Sequence, residues 1–262
     1  MEQTRREYSH ELEIVQEKVA VMGDRACAAV QMAMEALLAG DVNLAREVMQ
    51  ADDEIDAMIA DIEDSCILLI AKQQPIAHDL RVIATGFKIS TDIERIGDHA
   101  YDIAKTVRQV EVPLDSERMK WVQLLGDCAV DMAAKAMRAY REHDVELADE
   151  VRRLDKKMDA VFERTFYALS EFVTTEAARQ KRITQLLFIA RFLERIGDHA
   201  VNIAEWVIYR ETAVRIQQKK KACQKGGEGQ AWEAEGGNCR EKVVPCPIVL
   251  STWMEPWKSS VR

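Results

Sequence analysis

The residues best suited to chemistry are carboxylates, and they come in repeated pairs. Glu94, Asp98 and Asp102 follow one another at four-residue steps, and a hundred residues later Glu194, Asp198 and Asn202 do the same, with Glu205 close behind. The seven residues Glu94 to Ala100 (Glu-Arg-Ile-Gly-Asp-His-Ala) recur without change as Glu194 to Ala200. Two further i, i+4 pairs, Asp52 with Asp56 and Asp155 with Asp159, occupy matching places in the two halves of the chain. Carboxylates four apart on a helix stand about 6 Å from each other and repel modestly unless a cation lies between them. A lone pair of this kind is ordinarily a solvated acidic face. Recurrence at corresponding places favours an oxygen-rich cluster suited to hard or borderline cations such as Mg²⁺, Mn²⁺ or iron, with zinc less favoured in the absence of His or Cys ligands.

Other chemistries find less support. A di-iron core of the ferritin kind needs inward Glu and Glu-x-x-His, whereas Gly97 and Gly197 stand three residues after Glu94 and Glu194. His99 and His199 lie about 100° round the helix from the preceding aspartates, which suits packing or a partner-facing role better than ligation. No Gly-x-Ser-x-Gly elbow, phosphate-binding glycine loop or Cys-His pairing stands out. The six cysteines form no Cys-x-x-Cys pair, so neither a disulfide framework nor a thiolate zinc site is expected, and Cys27, Cys66 and Cys128 read as buried thiols.

Helices must position these residues. Ile89, Ile93, Ile96, Ala100, Ile103 and Val107 form a seam at steps of three and four, and the acidic stripe lies roughly 130 to 230° from it, facing out of the bundle. Leu12, Val15, Val19, Met22, Ala26, Ala29, Ala33 and Leu37 mark a first helix over about 7–38, and Leu44, Val48, Ala51, Ile55, Met58 and Ile62 a second over about 42–71. Gly40-Asp41 gives a stop and an N-cap between them, and Pro75 opens the third helix, about 76–109. Met22-Gly23-Asp24 reappears as Leu125-Gly126-Asp127, and Asp41 to Ala45 as Asp144 to Ala148, at an offset of 103 that falls to 100 by the acidic motif. About three residues are therefore missing from the second copy near Thr174-Thr175, and helices are expected at about 116–142, 145–173 and 178–213.

The chain is thus read as all-α, with two tandem, similar three-helix bundles (1–112 and 113–216) and an irregular tail. The tail, 217–262, holds three of the six cysteines, three of the five prolines and three of the five tryptophans, and is expected to be disordered or foreign to the rest. No run approaches 18 uninterrupted apolar residues and no apolar signal follows the N-terminus, so a cytoplasmic protein is expected. A formal charge of −9 argues against nucleic acid and suits cations or basic surfaces.

Gln74-Pro75-Ile76-Ala77-His78-Asp79-Leu80-Arg81, Glu94 to Asp98 and Leu193 to Glu205, set in a duplicated three-helix frame, resemble the PhoU family of phosphate-uptake regulators over about residues 5–214. The resemblance implies a non-enzymatic negative regulator of phosphate uptake and of the starvation response. It would link the ATPase subunit of a phosphate ABC transporter to a sensor histidine kinase, reach the membrane only through those partners, and form a homodimer. It also implies multinuclear metal clusters, with iron first and manganese, magnesium or zinc as alternatives, held by Glu94 with Asp98, Glu194 with Asp198, Asp52 with Asp56 and Asp155 with Asp159. The competing readings are metal storage or sensing by the same carboxylates, and a metal-dependent hydrolase. Asp102 against Asn202 and Lys105 against Glu205 predict that the two clusters bind unequally.

Overall fold

The computed structural model describes residues 2–72, 75–108, 116–171 and 177–216. Six helices follow in order: α1 Glu2–Ala39, α2 Val42–Lys72, α3 Ala77–Val107, α4 Ser116–Glu142, α5 Val145–Ser170 and α6 Ala177–Thr212. The described residues contain no strand. The expected deletion near Thr174 and the tail after 216 lie outside the described residues.

Turn chemistry sets the first break in each half. Gly40 is left-handed at φ 65°, and the Asp41 amide reaches back to the Ala36 carbonyl at 2.9 Å, closing α1 as glycine does most cheaply. Asp41 then caps α2, its Oδ1 accepting from the Asn43 and Leu44 amides at 2.8 and 3.1 Å. The second half repeats the device with a costlier residue: His143 takes φ 58°, and Asp144 accepts from the Leu147 amide at 2.9 Å. His143 is held there by α6. Arg210 is 1% exposed, donates to the Tyr140 carbonyl at 2.8 Å, and lies 4.5 Å from the centre of the Tyr140 ring. Its Nε donates to Glu211 at 2.6 Å, and His143 Nδ1 lies 2.9 Å from the same carboxylate. Pro75 departs from expectation: the extended Ile76 (φ −72°, ψ 166°) is the N-cap of α3, so the proline stands one residue before the cap instead of inside the first turn.

Every residue of the α1 and α3 seams is buried. On α2 the buried row is Ala45, Val48, Ile55, Ile62, Cys66 and Leu69; Val48, Ile55 and Ile62 lie where the seam predicts, whereas Leu44, Ala51 and Met58 are half-buried. Cys66 is buried, whereas Cys27 and Cys128 are only partly so; all three are free thiols.

The six helices share one continuous apolar core and belong to one compact unit that runs to Gln217. The halves meet through α1 against α4 and α3 against α6. At the first contact Met137 lies over Gly23 and Met34 over Gly126: a Cβ on either glycine would fall 2.1 or 2.3 Å from the methionine Cε. These pairs exchange under the repeat offset of 103, so the halves approach as a two-fold related pair would. At the second contact His99 stacks on Phe192, ring centres 5.8 Å apart. In the exchanged position His199 Nδ1 meets Asp92 Oδ1 at 2.8 Å.

Candidate functional site

The acidic stripe of α3 lies in the seam between α2 and α3. The cause is Gly97: a Cβ there would sit 3.1 Å from Ile55 Cδ1 and 3.3 Å from Asp52 Oδ1. Absence of a side chain lets α2 come close enough to bring the Asp52 carboxylate over α3. Asp52, Asp56, Glu94 and Asp98 are thereby gathered from two helices, with Asp102 one turn further along α3. The stripe is therefore less outward than its angle on the helix implies: the Glu94 side chain is 21% exposed and Asp98 35%.

The carboxylates feel one another. Burial first, then the charges of Asp56, Asp98, Asp53 and Glu94, push Asp52 up to about 6. Glu94 is raised by burial and by Asp98 and Asp56, opposed by Arg95. Asp102 is raised by burial, with Lys105 lowering and Asp98 raising it further. Arg95 supplies nearby positive charge, 2.8 Å from Asp98 and 3.3 Å from Glu94. The donor set, hard oxygens carrying under-compensated negative charge, fits a hard cation. Among the described residues, however, no three Asp, Glu, His or Cys side chains converge closely enough to hold a metal ion. The cluster supplies charge, and its side chains would have to turn inward to complete a coordination shell.

The second copy is built on the same plan with different electrostatics. Gly197 faces Met158, its Cβ position 3.2 Å from Met158 Cγ, and Asp155 and Asp159 on α5 and Glu194 and Asp198 on α6 are half-buried. Arg191 pairs with Glu194, and Arg195 stands 3.6 Å from Asp198. Arg152 enters the seam from α5, 3.6 Å from Glu205 and 2.8 Å from Asp149; the corresponding residue on α2 is Met49. Asn202, expected on the same stripe, donates its amide to Asp92 Oδ1 of the other half at 3.0 Å. That oxygen also receives His199. Sequence reasoning passed over Asp92 and Arg152. The signal was a break in the repeat, Asp92 opposite Phe192 and Arg152 opposite Met49. His99 and His199 have packing positions at the α3–α6 contact, their ring centres 5.7 Å apart. Burial, then His199, lowers His99 to about 4.

Comparison with known proteins settles the family. The PhoU domain matches residues 19–107 and 122–207. The chain belongs to the PhoU family. Among its relatives is the phosphate-specific transport system accessory protein PhoU homolog of Clostridium acetobutylicum, 36% identical over 214 residues, which cover 81% of this chain and 98% of that protein. The protein of the same name from Pseudomonas aeruginosa is 35% identical over 212 residues, 80% of this chain and 88% of the relative. The crystal structure of PhoU from Pseudomonas aeruginosa superposes with a TM-score of 0.75 at 33% identity, covering 79% of this chain and all (100%) of that one. The phosphate transport system regulatory protein PhoU from Streptococcus pneumoniae gives 0.73 at 26% identity, over 80% and 99% of the two chains. The PhoU relatives carry the name of an accessory or regulatory protein, not of an enzyme. No described helix is long and apolar enough to cross a membrane.

Proposed function

We propose that this chain is a cytoplasmic accessory protein of phosphate-specific transport that restrains uptake and the starvation response when phosphate is plentiful. The observation that supports this reading is the extent of likeness: a relative named as an accessory protein of phosphate-specific transport is matched over 98% of its length. The protein works by contact, its helical faces docking the ATPase subunit of the transporter and a sensor histidine kinase. Cations held by Asp52, Asp56, Glu94 and Asp98, and by their counterparts Asp155, Asp159, Glu194 and Asp198, neutralise the two seams and set the spacing of α2 against α3 and α5 against α6. Iron is the first candidate, then manganese, magnesium or zinc, and the working form is a homodimer. Deleting the gene raises expression of phosphate-starvation genes in phosphate-rich medium; unchanged expression would refute the regulatory reading.

A second reading, metal storage or sensing, draws on the carboxylates that drive up Asp52. Replacing Glu94, Asp98, Glu194 and Asp198 together by alanine separates the two. An adaptor keeps its repression in cells after losing bound metal, whereas a metal sensor loses both at once.

A further inference from the structure

The duplicated fold contains its own control. α2 and α5 occupy equivalent places, so outer-face residues that differ between them answer to something other than the fold. On α2, positions 53, 54, 61, 63 and 64 are Asp, Glu, Asp, Glu and Asp; at the offset of 103 α5 carries Lys156, Lys157, Arg164, Phe166 and Tyr167.

The acidic row of α2 has an internal use. Asp61 pairs with Lys18 of α1 at 2.7 Å, and Glu54 pairs with Arg25. In the second half α4 carries Trp121 and Cys128 at the corresponding places, and Lys156, Lys157 and Arg164 have no ion-pair partner among the described residues. All three are exposed. So are the rings: Phe166 is 45% exposed and Tyr167 59%. Phe166 stands edge-on to Tyr167 at 6.4 Å.

On the helical wheel Lys156, Lys157, Arg164 and Tyr167 fall within an arc of about 100°, with Glu163 at its edge and Phe166 about 80° beyond it. That arc is the exposed side of a single helix. Unpaired cations beside exposed rings on such a face suit a flat, negatively charged surface with an apolar layer beneath it. We infer that the outer face of α5 docks directly on an anionic lipid membrane. Because the chain as a whole is acidic, at −9, the attraction is confined to this face, and the docking orients the second half towards the bilayer. This contact is independent of protein partners.

Sedimentation of the full chain with vesicles tests it. Vesicles of phosphatidylcholine with roughly 30% phosphatidylglycerol are expected to bind at least about tenfold more protein than pure phosphatidylcholine, and the binding falls steeply as salt is raised. The K156E/K157E/R164E variant loses about tenfold or more of that binding, and F166S/Y167S loses most of what survives at high salt. If the triple variant is misfolded by circular dichroism, K157E alone together with the salt titration of the parent decides the matter. Absence of binding to the anionic vesicles, salt-independent binding, or parental binding by the folded α5 variants overturns the inference. Capture of an acidic protein by this face without affinity for vesicles overturns it as well.

Discussion

Asp52 shows how one residue can be unfavourable for stability and useful for a site. Burial and four neighbouring carboxylates push it up to about 6, against about 3.9 in an unfolded chain. Its folded pKa is raised, so its contribution to stability is fully present below about pH 3.9 and is lost as pH rises through about 6. At neutral pH the ionised group therefore opposes folding unless a cation offsets it. Asp52→Asn is expected to raise the melting temperature of chelator-treated protein at pH 7.5 by about 2–4 °C, the shift that about 1 kcal/mol produces in a domain of this size. The gain should shrink to nothing below about pH 4, where the parent carboxyl is itself protonated. The same change should weaken stabilisation by added Mn²⁺ or Fe²⁺. A melting temperature equal to the parent's at pH 7.5 would show that solvent already screens the cluster. The pairing of Asp52 with Asp56 was legible in the sequence; the depth of the pair was not, because a helical wheel gives direction and says nothing of how closely the next helix approaches.

That approach is decided at the scale of elements, by glycines. Gly86 and Gly97 both lie on α3 facing α2 and both are buried, but they are not equivalent. A Cβ at Gly86 would meet only Cys66 Sγ, at an ordinary 3.7 Å, whereas one at Gly97 presses on Ile55 and Asp52. Gly86→Ala should therefore stabilise the protein by about 0.5–1 kcal/mol through helix propensity. Gly97→Val should destabilise it by about 1–3 kcal/mol through overpacking and push Asp52 away from Glu94 and Asp98, weakening cation binding by the first seam more than by the second. Urea melts of the two variants, with metal titrations, check both signs; a stabilising Gly97→Val would mean that the seam is loose. The six helices and their buried rows could be read from periodicity because burial of a face leaves a mark every three or four residues. On α2 the expected Val48, Ile55 and Ile62 are buried, whereas Leu44, Ala51 and Met58 are apolar enough to mimic a core row while lying beside it. The stop at His143 is legible only through the repeat, which sets His143-Asp144 opposite Gly40-Asp41, because its left-handed turn is held by Arg210 and Glu211, nearly seventy residues away in sequence.

For the whole molecule, what the sequence concealed is how the halves hold each other. Internal homology announces two similar units and is silent on whether they touch. The contacts that join them, His199 and Asn202 on Asp92, His99 on Phe192, and Met34 and Met137 in the notches of Gly126 and Gly23, link positions about a hundred residues apart, beyond the reach of any local pattern. The methionine–glycine contacts keep the repeat's symmetry, whereas the α3–α6 contacts break it, since Asp92 meets a histidine by hydrogen bonding where Phe192 meets one by stacking. Because both halves contribute to one core, neither face is free to stay dry alone. Cutting the chain into 1–112 and 113–216 would expose Met34 or Met137 together with the buried side of α3 or α6. Each piece is expected to be at least about 3 kcal/mol less stable than the joined protein, as loss of two or three buried side chains implies, and to self-associate through the uncovered face. The intact chain should then unfold in urea as a single transition with the same midpoint by circular dichroism and by tryptophan fluorescence. Two separated transitions, or pieces that melt at the parent temperature as monomers, would show that the repeats are independent bundles and that the α1–α4 and α3–α6 contacts contribute little. A single transition would mean that a change at one acidic seam is felt by the other through a shared core, which is the physical requirement for an adaptor that must report on one partner to another.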